Sequence, residues 1–190
     1  MIYKNKPAIT TVVLHHTAVS RARQPLQTTS VNTYHKNKDW GGGWRQPHPS
    51  ELGFYGGYNF IVEPTGKRTQ YRKIGEETIA QIGNNCDTPS RCGMISYCMA
   101  GDFRVEKPTS HQVADFVDFV TEVRSKYPDA VIKQHKDVAS GRTCAELSAD
   151  EISSWFTDTD DKDKIIERLK KQNSQLISMV TLLISLLKKK

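Results

Sequence analysis

Short runs of β-branched and aromatic residues, each bounded by turn formers, recur at Thr10 to Leu14, Tyr58 to Glu63, Arg68 to Arg72, Met94 to Met99 and Val131 to His135. They predict five strands. Pro64-Thr65-Gly66-Lys67 predicts a hairpin turn between the second and third. Apolar positions at Val113, Phe116, Val117, Val120 and Val123 follow a helical period instead and predict a helix over about Ser110 to Tyr127. A shorter helix is expected over about Thr29 to Lys38, and Ser148-Ala149-Asp150-Glu151 reads as a capping box opening a third through Trp155. The alternation predicts an α/β fold, a mixed central sheet with flanking helices. Between Trp40 and Tyr58 the run GGGWRQPHPSELGFYGG follows neither period and predicts a surface loop near the site.

After Trp155-Phe156 the pattern changes. A polar stretch at 158–164 separates an expected catalytic domain, 1–157, from a C-terminal helix, 165–190. In that tail Ile166, Leu169, Asn173, Leu176, Val180, Leu183 and Leu187 alternate steps of three and four, the seam of a coiled coil, with Asn173 at an a position. The pattern predicts a homo-oligomer through 165–190. Ile177, Met179, Leu182, Ile184 and Leu186 widen the apolar face, so a membrane-surface helix anchored by Lys188, Lys189 and Lys190 also fits, as does docking back on the domain. The apolar core of the tail, about twelve residues, falls short of the roughly 20 needed to cross a bilayer.

Charge changes the picture less than its sum suggests. The chain of 190 residues has a formal net charge of +6, but residues 1–160 carry 19 Lys+Arg against 18 Asp+Glu and residues 161–190 carry 8 against 3. The main domain is therefore nearly neutral and has no arginine-rich stripe, which argues against a nucleic-acid partner. The segment Met1-Ile-Tyr-Lys-Asn-Lys-Pro7 lacks an apolar h-region, so no signal peptide is expected. Of four cysteines, all expected to be reduced at synthesis, Cys98 sits among Met94, Ile95, Tyr97 and Met99 and reads as a core thiol, while Cys86 and Cys92 share one loop and their pairing after export is left open by the sequence.

The candidate chemistry lies at strand ends. His15 and His16 close the first strand, and because strand side chains alternate in direction only one can face a given site. The pattern does not say which. His135 closes another strand, and Cys144 follows in a Ser140-Gly141-Arg142-Thr143 loop that would fold the sulfur back toward it. Two nitrogens and one sulfur form a zinc set with an open fourth position, as in catalytic sites; a simple loop cap by His135 and Cys144 is the alternative.

These segments resemble the type 2 N-acetylmuramoyl-L-alanine amidases, the family of phage endolysins of the T7 lysozyme kind and animal peptidoglycan recognition proteins. Val12-Val-Leu-His15-His-Thr-Ala18 is similar to the family's first strand with its ligand histidine. Gly57-Tyr58-Asn-Phe-Ile-Val62 resembles the second strand with its site tyrosine, and Ile95-Ser-Tyr-Cys-Met-Ala-Gly101 the central strand. His135-Lys-Asp-Val138 with Cys144 resembles the last two ligands. Three departures touch the site: a slightly longer interval from His135 to Cys144, Ala145 where a proline commonly follows the cysteine, and Arg142 where the phage enzymes have lysine.

The resemblance implies the peptidoglycan recognition protein-like amidase fold, Zn2+ on His15, His135 and Cys144, and hydrolysis of the amide between N-acetylmuramic acid and L-alanine in peptidoglycan. Tyr58 is expected to orient water or donate to the tetrahedral intermediate, and Arg142 to stabilise an oxyanion, since arginine does not release its proton. Trp40 and Trp44, with Phe54 and Tyr55, would form an aromatic wall for sugar rings or else simply pin their loop; Asn84 and Asn85 would bind the stem peptide. Glu51 and Glu63 are candidate acids by sequence position only, and Asp137 is expected either to brace a ligand histidine or its loop, or to lie at the surface. The expected setting is a phage or prophage endolysin made in the host cytoplasm and acting on the wall after release. A recognition module without catalysis and a secreted antibacterial effector are the competing readings.

Overall fold

The computed structural model describes residues 8–38, 49–76, 78 and 93–157. The tail and the 158–164 stretch lie outside them. The chain divides into two compact units, Met1–Ser148 and Ala149–Lys190.

In the first unit the strands are β1 (Thr11–His16), β2 (Phe60–Val62), β3 (Arg68–Gln70), β4 (Met94–Met99) and β5 (Val131–Gln134), with helices α1 (Thr28–Asn37), α2 (Ser110–Lys126) and the short α3 (His135–Val138). The second unit contributes α4 (Ala149–Thr157). One sheet runs β3-β2-β4-β1-β5, parallel throughout except for the β2–β3 hairpin. Every residue of β1 is buried, and only Met94 of β4 is not. Strands covered on both faces need continuous apolar runs, which VVL and ISYCM supply.

Helix α2 buries Phe116, Phe119, Val120 and Val123, while Val113 and Val117 of the predicted stripe are only half-buried. The inward face is rotated because Phe119 stacks on Tyr97 and packs at a tilt against Phe60, at 5.0 Å between ring centroids in both cases. Its N-terminus is closed by Thr109 and Gln112, each side chain accepting from the other's backbone N–H. Helix α1 has no cap of its own; the buried Glu63 carboxylate accepts from Gln27 N (2.9 Å) and Thr28 N (2.6 Å) and stabilises that helix end from the neighbouring strand. No helix among the described residues is long and apolar enough to cross a membrane.

Candidate metal and catalytic site

The end of β1 separates its two histidines. His15 turns to one face, its ring 4.6 Å from that of His135 and 5.2 Å from that of Tyr58. His16 turns to the other, where Nδ1 accepts from Phe103 N at 2.9 Å and the ring packs on Phe103. Strand alternation, left undirected by the sequence, thus puts His15 in the cluster.

Parallel pairing brings the second histidine alongside. β5 runs in register with β1, Leu14 opposite Gln134, so His135, the next residue of that chain segment, comes beside His15, which stays in β1 opposite Cys98. The predicted extension of β5 through His135 is corrected here: the strand stops at Gln134 and His135 opens α3. The Asp137 carboxylate accepts from Gln134 N at 2.7 Å, which turns the chain at that point.

The loop after α3 then returns Cys144 to the same corner. Gly141, at φ +69°, takes a conformation that side chains resist. Lys136 N donates to Cys144 O at 2.8 Å, and the buried Gln134 brackets Leu147, donating to its carbonyl (2.9 Å) and accepting from its N–H (3.1 Å). Cys144 Sγ accepts from His16 N at 3.2 Å and lies 3.9 Å from His15 Nδ1. Ligand atoms of His15, His135 and Cys144 all fall within 4.8 Å of one another. Gln134 was not singled out in the sequence, where a strand-end glutamine carries no signal of its loop partner.

Electrostatics at this corner are those of largely buried groups beside a cation. Burial, helped by the Arg142 charge, lowers the His135 pKa to about 4, and burial pushes the Cys144 thiol up to about 12 against the opposing effect of the His16 N–H. His135 Nε2 is buried without a hydrogen-bond partner. An orphaned ring nitrogen in a buried set of two imidazoles and one sulfur fits zinc, which satisfies the nitrogen and replaces the thiol proton.

Tyr58 lies just before β2, not inside it as the strand pattern predicts, yet its ring is half-buried against His15. Burial first, then the Cys98 and Cys144 sulfurs, hold its pKa well above the ordinary value. Its hydroxyl is therefore held in the neutral form. Arg142 is exposed at the rim, close enough to act on both His135 and Cys144.

The acid candidates are placed elsewhere. Glu63 is committed to the α1 N-terminus, taking Thr28 Oγ1 as well, and Glu51 pairs with Lys73 Nζ at 2.9 Å on the surface. Asp137 is exposed and braces the turn that carries His135. Trp40, Trp44, Asn84, Asn85, Cys86 and Cys92 lie outside the described residues.

A family model described as N-acetylmuramoyl-L-alanine amidase matches residues 4–146. No curated protein matches the sequence. Among solved structures, PGRP-SA of a bumblebee is similar at 18% identity and TM-score 0.61, over 82% of this chain and 86% of that one. The Ph2119 endolysin of a Thermus scotoductus bacteriophage is similar at 16% identity and TM-score 0.58, over 81% and 88%. Human PGRP-IBETAC, solved with a glycosamyl muramyl pentapeptide, is similar at 15% identity and TM-score 0.55, over 80% and 90%. At these identities the likeness speaks for the fold.

Proposed function

The chain belongs to the N-acetylmuramoyl-L-alanine amidase family, and from that premise we propose that it is a zinc-dependent hydrolase of the bond between N-acetylmuramic acid and L-alanine in peptidoglycan, acting as a phage or prophage endolysin after release from the cytoplasm. The observation that carries the reading is the convergence of His15, His135 and Cys144 within 4.8 Å around a buried ring nitrogen without a partner.

Zinc held by these three side chains supplies Lewis acidity for attack of water on an unreactive amide. The chain's own groups do the rest. Tyr58, kept protonated by burial, donates a hydrogen bond toward oxygen developing negative charge beside His15. Arg142, from the rim, stabilises negative charge on the scissile carbonyl oxygen with its guanidinium. Gln134 and Asp137 hold the ligand-bearing turn and loop against rearrangement.

The test pairs metal analysis with product chemistry. Purified protein should carry one zinc per chain and release new L-alanine amino termini from sacculi without new reducing sugar ends. Reducing ends would mean a glycosidase. Muropeptide binding without either product would move the protein to the recognition module suggested by its likeness to PGRP-SA.

A further inference from the structure

The segment that delivers Tyr58 is gripped by one face of α1. Asn32 and His35 stand one turn apart on that helix, spaced to lie side by side. Asn32 Oδ1 accepts from Tyr55 N at 2.6 Å and from Gly56 N at 3.1 Å, and His35 Nδ1 accepts from Gly57 N at 2.8 Å. Three consecutive backbone N–H groups are therefore read by two side chains, and the next residue is Tyr58.

The opposite side of the segment is closed as well. Arg72 Nε donates to Gly56 O at 2.7 Å. A Cβ on Gly56 would stand 1.9 Å from the Tyr71 ring, so that ring occupies the space a side chain would need. Beyond Tyr58, Asn59 Oδ1 accepts from Ser96 N at 2.8 Å and ties the chain to β4. The Tyr58 ring then lies 5.4 Å from the ring of His35 and 5.2 Å from that of His15.

We propose that Asn32 and His35 are positioning residues which fix the Tyr55–Gly57 backbone and thereby set Tyr58 against the His15 corner of the site. Neither touches substrate or metal; both act through Tyr58. A backbone held only by its glycines would leave the Tyr58 hydroxyl free to wander, and a displacement of about 1 Å at a catalytic group costs on the order of a hundredfold in rate. The arrangement requires a neutral imidazole with its lone pair on Nδ1. Burial supplies this, since it and the Lys38 and Arg72 charges lower the His35 pKa to about 4.

The inference rests on the proposed hydrolase reading for its kinetic arm, and a second arm is independent of it. In the full-length zinc-loaded protein, His35→Leu should lower kcat by about tenfold to a hundredfold with KM and zinc content near wild type. His35→Asn, whose Oδ1 stands close to the place of Nδ1, should recover to within about threefold of wild type. In a Tyr58→Phe background His35→Leu should cost less than about twofold, because residues acting through one group are not additive. A full additive loss there, a lost zinc, or an unchanged kcat would each overturn the proposal. Should His35→Leu fail to fold, Asn32→Ala is taken through the same cycle and judged by the same outcomes. The second arm uses 15N-labelled metal-free protein and looks for a through-hydrogen-bond 15N–15N coupling between Gly57 N and His35 Nδ1. Its absence in folded protein sinks the clamp whatever the activity. If wild-type protein hydrolyses no amide, the functional reading falls while this coupling still decides the clamp.

Discussion

Two corners of the site are built by different means. The ligand corner is placed by backbone: β1 and β5 run parallel, and the Cys144 loop returns by main-chain bonds such as Lys136 N to Cys144 O at 2.8 Å. The tyrosine corner is placed by side chains, with Asn32, His35, Arg72 and Asn59 each holding main-chain atoms of residues 55–59 or their neighbours. Ladder geometry is shared among many residues and tolerates single substitutions outside the three donors and the Gln134 and Asp137 side chains that support them. A clamp made of individual side chains does not. The ligand corner should therefore fail at its donors and their few supports, and the tyrosine corner at residues that never meet substrate.

The sharpest break is Cys144→Ser, because a hydroxyl is a far weaker zinc ligand than a thiolate. Zinc should be lost from the purified protein and amidase activity should drop by about a thousandfold or more while the circular dichroism spectrum stays. A fully active serine variant with stoichiometric zinc would overturn the ligand assignment. Next in size is Gln134→Leu, which leaves Leu147 N–H unpaired in the interior and its C=O with Lys136 Nζ, at 3.0 Å, in place of two donors. Zinc affinity should fall by about tenfold to a hundredfold, as for other groups that orient ligands, and stability by about 1–3 kcal/mol. Titration against a chelator with a known constant measures the first and urea unfolding the second. No change in either would mean that the ladder alone holds the loop.

At the other corner, Gly56→Ala places a methyl group inside the Tyr71 ring's space. It should destabilise the fold by about 1–3 kcal/mol and reduce kcat, with zinc content unaltered. Equal loss of zinc would erase the distinction between the corners. The most gradual effect is the pH dependence. His35 has a pKa lowered to about 4 from 6.5, so the unfolded chain binds its proton first. Its contribution favours the folded state above pH 6.5 and is lost as pH falls from there toward about 4, at up to roughly 1 kcal/mol per pH unit. Metal-free His35→Asn should show a shallower fall than wild type over that window in thermal melts. Parallel curves would mean that His35 is not buried neutral.

Much of the fold could be read from the chain because its strands and long helix have strong periods. The cores of β1, β4 and β5 lie within the predicted runs, and Thr109 with Gln112 closes α2 where the valine and phenylalanine stripe begins. Helix α3 was missed because four residues carry no period and the turn depends on Asp137 reaching back to Gln134 N. The clustering of His15, His135 and Cys144 was legible through the family resemblance, not through spacing, since these residues are separated along the chain by all of β2, β3, β4 and α2. Asn32 and His35 were invisible, since two polar residues on a short helix look like any half-solvated face.

The sequence by itself determined the alternation of strands and helices, the near-neutral main domain and the residue types able to hold zinc, because period, charge and donor chemistry are local properties. Only the tertiary structure decided the strand order β3-β2-β4-β1-β5, the commitment of Glu63 to a helix end and the grip of α1 on the Tyr58 segment. Those depend on which backbone groups are left to be satisfied once distant segments pack, and no window along the chain contains both partners.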